Sequence, residues 1–364
     1  MRTLQKVRIK NFKSIRSQEL ALGSLNVFIG GNGAGKSNLI EVFRFLREIT
    51  TQNLSGYTQQ KGGAETLLYL GRKKSSFMEF FLEFGEGHTS NAYDVQLRAT
   101  DQDSFIVAQE IVYYHDKKNY PSKPYDKTVA LSEKESRLKT IKHICARQVV
   151  ADLDSYRVYH FHDTSDSAAV KLTCDVNDNR YLRPQAENLA AFLYWLQEKK
   201  QDYFENIQDT TRQIAPFFDS FRLAPSRLNE RRIQLEWKHV GSDSYFNTSS
   251  LSDGTLRFIC LATLLLQPQL PTLVLLDEPE LGLHPAAITL LAHLLASAST
   301  RTQVMVATQS VTLVNQLEPE DVWTVDRNDG QSVFRHLSRA DMSNWLDDYA
   351  LGELWEKNIL GARP

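Results

Sequence analysis

The sequence predicts an α/β fold: a mixed or parallel sheet with helices against it, interrupted by an inserted subdomain that is β-rich and partly helical. An apolar strand, a glycine-rich turn and a helix follow one another in "VFIGGNGAGKSNLI", residues 27–40. From residue 254 onward the chain alternates helix, strand, helix and strand, the order that builds a parallel sheet. Between these regions, from about residue 76 to 180, short β-rich runs are separated by polar turns.

The elements can be justified in chain order. Val7 and Ile9 alternate with Arg8 and Lys10, a strand with one buried face. "SLNVFIG" is a second strand leading into the glycines, and "KSNLIEVFRFLREIT" carries apolar residues at helical spacing. "FMEFFLEF", "AYDVQLRA", "FIVAQEIVYYH" and "SYRVYHFH" read as strands, with one helix over 132–153, "SEKESRLKTIKHICARQVVADL". Residues 186–214 read as two helices meeting near Lys200, and strands return from about 220. The expected units are an N-terminal lobe over 1–74, an inserted subdomain over 75–219, a C-terminal lobe over 220–338, and a helix and tail over 339–364. No repeat of 20–50 residues and no sustained heptad pattern is visible.

Composition narrows the class. The 364 residues are 42% hydrophobic and 24% charged, ordinary values for a globular protein. A net charge of −2 gives no overall basic field for nucleic acid, so any such surface must be local. Lys10, Lys13, Arg16, Lys73 and Lys74 are the local candidates, and a solvated face explains them equally well. Cys145, Cys174 and Cys260 lie far apart with no CxxC spacing, against a disulfide framework or a zinc site. The apolar run in "TLVLLDEPELGLHP" is broken by acids after five residues, too short to span a membrane. A cytoplasmic location is expected.

The chemistry is concentrated in two motifs. Gly30, Gly31, Asn32, Gly33, Ala34, Gly35, Lys36 and Ser37 fit G-x-x-x-x-G-K-[ST], followed by Asn38 at the start of a helix. Glycines let successive N–H groups turn inward on an anion, and the helix N-terminus adds partial positive charge. Lys36 is suited to the β- and γ-phosphates of ATP, and the Ser37 hydroxyl to Mg²⁺. Far downstream, the strand 273–276 ends in Asp277 and Glu278, the Walker B arrangement. Asp277 is expected to hold the metal, and Glu278 to act as general base on the attacking water. Just upstream, "LSDGT" places Ser252 and Gly254 at a helix N-terminus, where a hydroxyl and free N–H groups can address a phosphate. A Ser-Asp N-cap explains that stretch equally well.

With those residues in order, the chain resembles the RecF/SMC/OLD branch of the ABC-type ATPases. "LSDGT" is similar to their LSGGQ signature, "DEPELGLHP" to the OLD-like Walker B and D-loop, and "VMVATQS" to the strand ending in the switch residue. Ending in "YALGELWEKNILGARP", the chain also looks like a group of compact bacterial ATPases of this kind. The likeness covers about 1–74 and 220–338 and is looser between them. It implies a P-loop ABC-type ATPase head, with two heads closing face to face on two ATP molecules. Ser252 and Gly254 would then contact the γ-phosphate bound by the partner subunit's copy of the loop. Gln309 stands where many ABC proteins carry a histidine; it can hydrogen-bond a phosphate or water but cannot change charge near neutral pH, so slow turnover is expected. Gln59 and Gln60 are candidates for the Q-loop by location only. His160, His162 and Asp163 read as a sheet-face group, and His284 as an interface residue.

A transporter subunit is excluded by the more than 200 residues between loop and signature, and a long-armed SMC protein by the missing heptads. About 40 residues after Val325 leave no room for a TOPRIM nuclease domain. The expected function is an ATPase, itself no nuclease, that dimerises on ATP and gates a separate nuclease or toxin in bacterial antiviral defence. The alternative is a RecF-like repair ATPase that binds DNA directly.

Overall fold

A computed structural model gives the positions of residues 2–342, 345 and 348–363. Two six-stranded sheets enclose the helix that follows the glycine loop. The first is antiparallel, in the order Ile15–Ala21, Thr3–Phe12, Phe77–Glu86, Thr89–Ala99, Phe105–Asp116, Tyr125–Glu133. The second runs Gln331–His336, Val322–Asn328, Leu25–Ile29, Gln303–Thr308, Leu273–Asp277, Tyr156–Tyr159, and all its neighbours are parallel except the first pair.

The parallel strands are near-continuous apolar runs because both of their faces are covered. Alternate side chains divide between two cores. Phe28, Leu273, Leu275, Met305 and Ala307 face the helix Lys36–Thr50 and, beyond it, the antiparallel sheet. Val27, Ile29, Val274, Leu276, Val304 and Val306 face the helices Asp253–Leu266 and Pro285–Ser299. The helix Asp253–Leu266 is buried from Thr255 to Leu265, which explains why its sequence is apolar on every side.

Residues 77–133 extend the sheet begun by the N-terminal strands. Val7 stands opposite Leu82, and Ile9 opposite Phe80. The helix expected over 132–153 forms only at Ile144–Ser155. Its first part is recruited elsewhere. Residues through Glu133 join the sheet, the Glu110 carboxylate takes the Ser136 hydroxyl and the Arg137 N–H, and the Glu135 carboxylate accepts from the N–H groups of Leu54 and Ser55 at a helix N-terminus. The two helices near Lys200 are Leu189–Lys199 and Gln201–Ile214. Among the described residues no helix is long and apolar enough to cross a membrane.

Asp94, on the antiparallel sheet, gives a pH test of this packing. Burial, reinforced by Glu79 and opposed by Arg8 and Lys10, pushes its pKa up to about 6. The folded chain then keeps a proton that the unfolded chain releases near pH 4, so stability is lost as pH rises from about 4 to 6. Asp94→Asn is expected to raise the melting temperature by about 2 °C at pH 7.5 and to leave it unchanged at pH 4, as read by circular dichroism melts.

Candidate functional site

Three strand ends on one edge of the parallel sheet bring the motifs together. Leu25–Ile29 delivers the glycine loop, Leu273–Asp277 delivers Asp277 and Glu278, and Gln303–Thr308, lying between them, delivers Gln309. Strand C-terminal ends are where open α/β sheets hold ligands.

The loop is held by local geometry. Gly35 caps the helix with φ 115°, a left-handed conformation, and a Cβ there would lie 2.0 Å from Ser332 Oγ. Ser332 Oγ also donates to the Ala34 carbonyl, and the Ala34 N–H closes on the Gly31 carbonyl at 3.2 Å. Lys36 is 5% exposed, and its Nζ donates to the carbonyls of Gly30 at 2.5 Å and Gly31 at 3.1 Å. Burial lowers its pKa, while Glu278, Asp277 and Glu280 act to raise it. Ser37 Oγ donates to Asp277 Oδ1 at 3.2 Å, so two oxygens from opposite ends of the sequence meet where a hard divalent cation would need them. Burial raises the pKa of Asp277, partly offset by the Ser37 hydroxyl. Asn38 is turned toward the N-terminal strands, donating to Ser14 Oγ at 2.7 Å.

Glu278 has φ 45°, unusual for a residue with a side chain, and its N–H is tied to the Ala307 carbonyl at 2.7 Å. Gln309 Nε2 donates both to the Glu278 carboxylate and to Asn32 Oδ1, the latter at 2.9 Å. One amide thus bridges loop and Walker B carboxylate. Ser252 caps the helix Asp253–Leu266, its Oγ accepting from the Thr255 N–H at 3.2 Å. With Gly254 it lines a cavity of about 330 Å³ that also includes Gly282, Leu283 and His284. Among the described residues no hydrogen bond joins Ser252 or Gly254 to the glycine loop. His284 caps the following helix, with Nδ1 accepting from the Ala286 N–H.

His160 and His162, expected on a sheet face, instead follow the end of the strand Tyr156–Tyr159, and Glu280 and Arg257 were not singled out in the sequence. Glu280, 9% exposed, accepts from Thr308 Oγ1 at 2.5 Å and from the Gln309 N–H at 3.2 Å, while its Oε2 has no partner among the described residues; burial raises its pKa. His162 donates Nε2–H to the Asp277 carbonyl at 2.7 Å, which fixes that tautomer. His160 stacks on it at 4.1 Å, and burial followed by the neighbouring His162 lowers the His160 pKa to about 4. Arg257 links signature helix and Walker B loop, donating to the carbonyls of Phe161 at 2.9 Å, His162 at 3.1 Å and Leu281. Spacing alone could not have found the contacts of Glu280, Arg257 and His162 with the Walker B and neighbouring strand ends, because each joins segments far apart in sequence. Gln59 and Gln60 end the helix Leu54–Gln60 and are exposed. Lys10 and Lys13 pair with Glu79 and Glu41. Among the described residues no group of three or more His, Cys, Asp or Glu could hold a metal ion.

A lysine cradled by a glycine loop, facing two carboxylates from the next strand but one and an amide between them, makes up a P-loop nucleotide site, and the fold around it is that of SMC head domains. The chain belongs to the family described as "AAA domain, putative AbiEii toxin, Type IV TA system", whose model matches residues 25–315. Its fold is similar to an Smc head bound to the C-winged helix domain of ScpA, with TM-score 0.62 and 16% identity over 93% of this chain and 99% of that one. An Smc head with an extended coiled coil, bound to the C-terminal domain of ScpA, from Pyrococcus furiosus gives 0.58 and 16% over 96% and 99%. The SMC head from Thermotoga maritima gives 0.50 and 16% over 92% and 99%. No curated protein matches the chain in sequence.

Proposed function

We propose that this chain binds Mg²⁺–ATP, closes on it as a head-to-head homodimer, hydrolyses it slowly, and uses that cycle to gate a separate nuclease or toxin. The observation that carries the reading is the convergence of Lys36, Ser37, Asp277, Glu278 and Gln309 at one sheet edge, with Ser252 and Gly254 in a different cavity. The residues present fit the nucleotide and its metal. Loop N–H groups and Lys36 hold the phosphates, and Ser37 with Asp277 would hold the metal. Mg²⁺ bound there supplies counter-charge to the β- and γ-phosphates. Glu278 accepts the proton of the attacking water, and Gln309 fixes the Glu278 carboxylate and orients that water. Ser252 and Gly254 close the partner subunit's site.

The family description, which names a toxin–antitoxin setting, supports a gating role. Residues 75–219 are the part proposed to reach the effector. In a pull-down from the native host, a stoichiometric nuclease or toxin is the expected result. ATP-dependent cleavage of plasmid by the purified chain alone would overturn the reading.

Ser252→Arg tests the division of roles. Nucleotide affinity should stay within about threefold, whereas hydrolysis should fall at least about a hundredfold, because a bulky cation blocks the partner's site while the chain's own loop is intact. Calorimetric titration together with phosphate release measures both. Equal losses in affinity and rate would count against a signature acting across the interface.

A further inference from the structure

Residues 351–363 form a strap across the two elements that meet at the proposed γ-phosphate position. At one end, the helix Leu351–Glu356 packs on Val311–Val314, the short helix directly after Gln309 and Ser310, and the Gly352 N–H is held by Asn315 Oδ1 at 2.8 Å. The middle is anchored in the protein. Trp355 is 0% exposed and donates Nε1–H to the Ala362 carbonyl at 2.5 Å, and Arg335 donates to the Leu360 carbonyl at 2.6 Å. At the other end the strap meets the glycine loop. A Cβ built on Gly31 would stand 2.8 Å from the Arg363 carbonyl oxygen. Glycine at position 31 is therefore required by the strap, not by backbone torsion.

This docking sets Arg363 beside a loop built for an anion. Its side chain is exposed, and among the described residues its guanidinium has neither hydrogen bond nor ion pair. On the other flank of the same turn, Arg327 donates Nη1 to the Gly33 carbonyl at 3.4 Å and is likewise exposed. The main chain of Arg363 thus stands at Gly31 and the Arg327 guanidinium at Gly33, with the Asn32 side chain between these glycines bonded to Gln309. Guanidinium is suited to phosphate because its planar donors match the oxygens in pairs.

We infer that Arg363 and Arg327 form a second cationic grip on the terminal phosphates of a nucleoside triphosphate, with the 351–363 strap delivering Arg363. The inference rests on the ATP-binding reading above. Both side chains are exposed, and the strap is anchored by its buried Leu354, Trp355 and Leu360 and by backbone hydrogen bonds, not by either arginine side chain, so truncating either one spares the fold.

The test is calorimetric titration of the full chain with Mg²⁺ and a non-hydrolysable ATP analogue, and separately with AMP, for the unaltered protein, Arg363→Ala, Arg327→Ala and the double variant. Each single change is expected to weaken triphosphate binding about tenfold and the double change about a hundredfold, the size of one and two charge-assisted contacts, with AMP binding unchanged. Triphosphate affinity of the double variant within twofold of the unaltered protein would overturn the inference. So would a loss confined to Arg327→Ala, or an equal loss for AMP. Failure of the unaltered protein to bind the analogue would overturn the ATP reading together with this one.

Discussion

Lys36→Ala is expected to abolish nucleotide binding. The ammonium is almost wholly buried at the start of the loop's helix, with Glu278, Asp277 and Glu280 acting on it. Its removal deletes a charge-assisted contact worth about 1.5–3 kcal/mol, roughly tenfold to a hundredfold in affinity. It also leaves those carboxylates facing the phosphates with less opposing charge, so the total loss should exceed about a hundredfold. Stability should change little, because burying the ammonium is itself unfavourable, as its lowered pKa records. Calorimetric titration with Mg²⁺–ATP measures the loss. Affinity within threefold of the unaltered protein would mean that the loop is not the nucleotide site.

Glu278→Gln separates binding from chemistry. The amide has the size of the carboxylate and retains an oxygen for the bond from Gln309, so the link from Glu278 through Gln309 to Asn32 survives. What disappears is the base. General-base catalysis contributes about 10²–10⁴ in rate, and phosphate release should fall by that factor while Mg²⁺–ATP remains bound. A chain that closes on ATP and cannot hydrolyse it should accumulate as a dimer, visible by light scattering as a doubling of mass that requires ATP. Turnover at the unaltered rate would remove Glu278 from the role of base.

Much of this site was legible because its parts are local. The glycine loop lies between its own strand and helix, and residues 273–276 form an unbroken apolar run because the strand is buried on both faces. The signature segment is likewise contiguous, and Ser252 is a helix cap in the structure. Contacts between distant segments were not legible. A helical pattern over 132–153 lost its first turns to Glu110, and Glu135 was drawn to a helix N-terminus some 80 residues upstream, competition that no local propensity encodes. The pairing of Phe77–Glu86 with Thr3–Phe12 depends on register across a long intervening chain. Glu280 was hidden for a similar reason. In sequence it is one more acid after Walker B, and only the adjacent strand end shows it holding Thr308 and Gln309. The apolar residues of "LWEKNILGARP" could have served a partner or the chain's own head; Leu354, Trp355, Leu360 and Ala362 are buried in this chain.

The central claim is that each ATP site is completed by the other subunit's Ser252. Lys36→Ala and Ser252→Arg should each be inactive alone. Mixed in equal amounts, they can form a heterodimer in which the intact loop of the Ser252→Arg chain faces the intact signature of the Lys36→Ala chain, leaving one complete site. The mixture is predicted to regain ATP hydrolysis, measured as phosphate release, that neither protein shows by itself. A mixture no more active than its separate components, under conditions where heterodimers are shown by mass, would contradict a site shared between subunits.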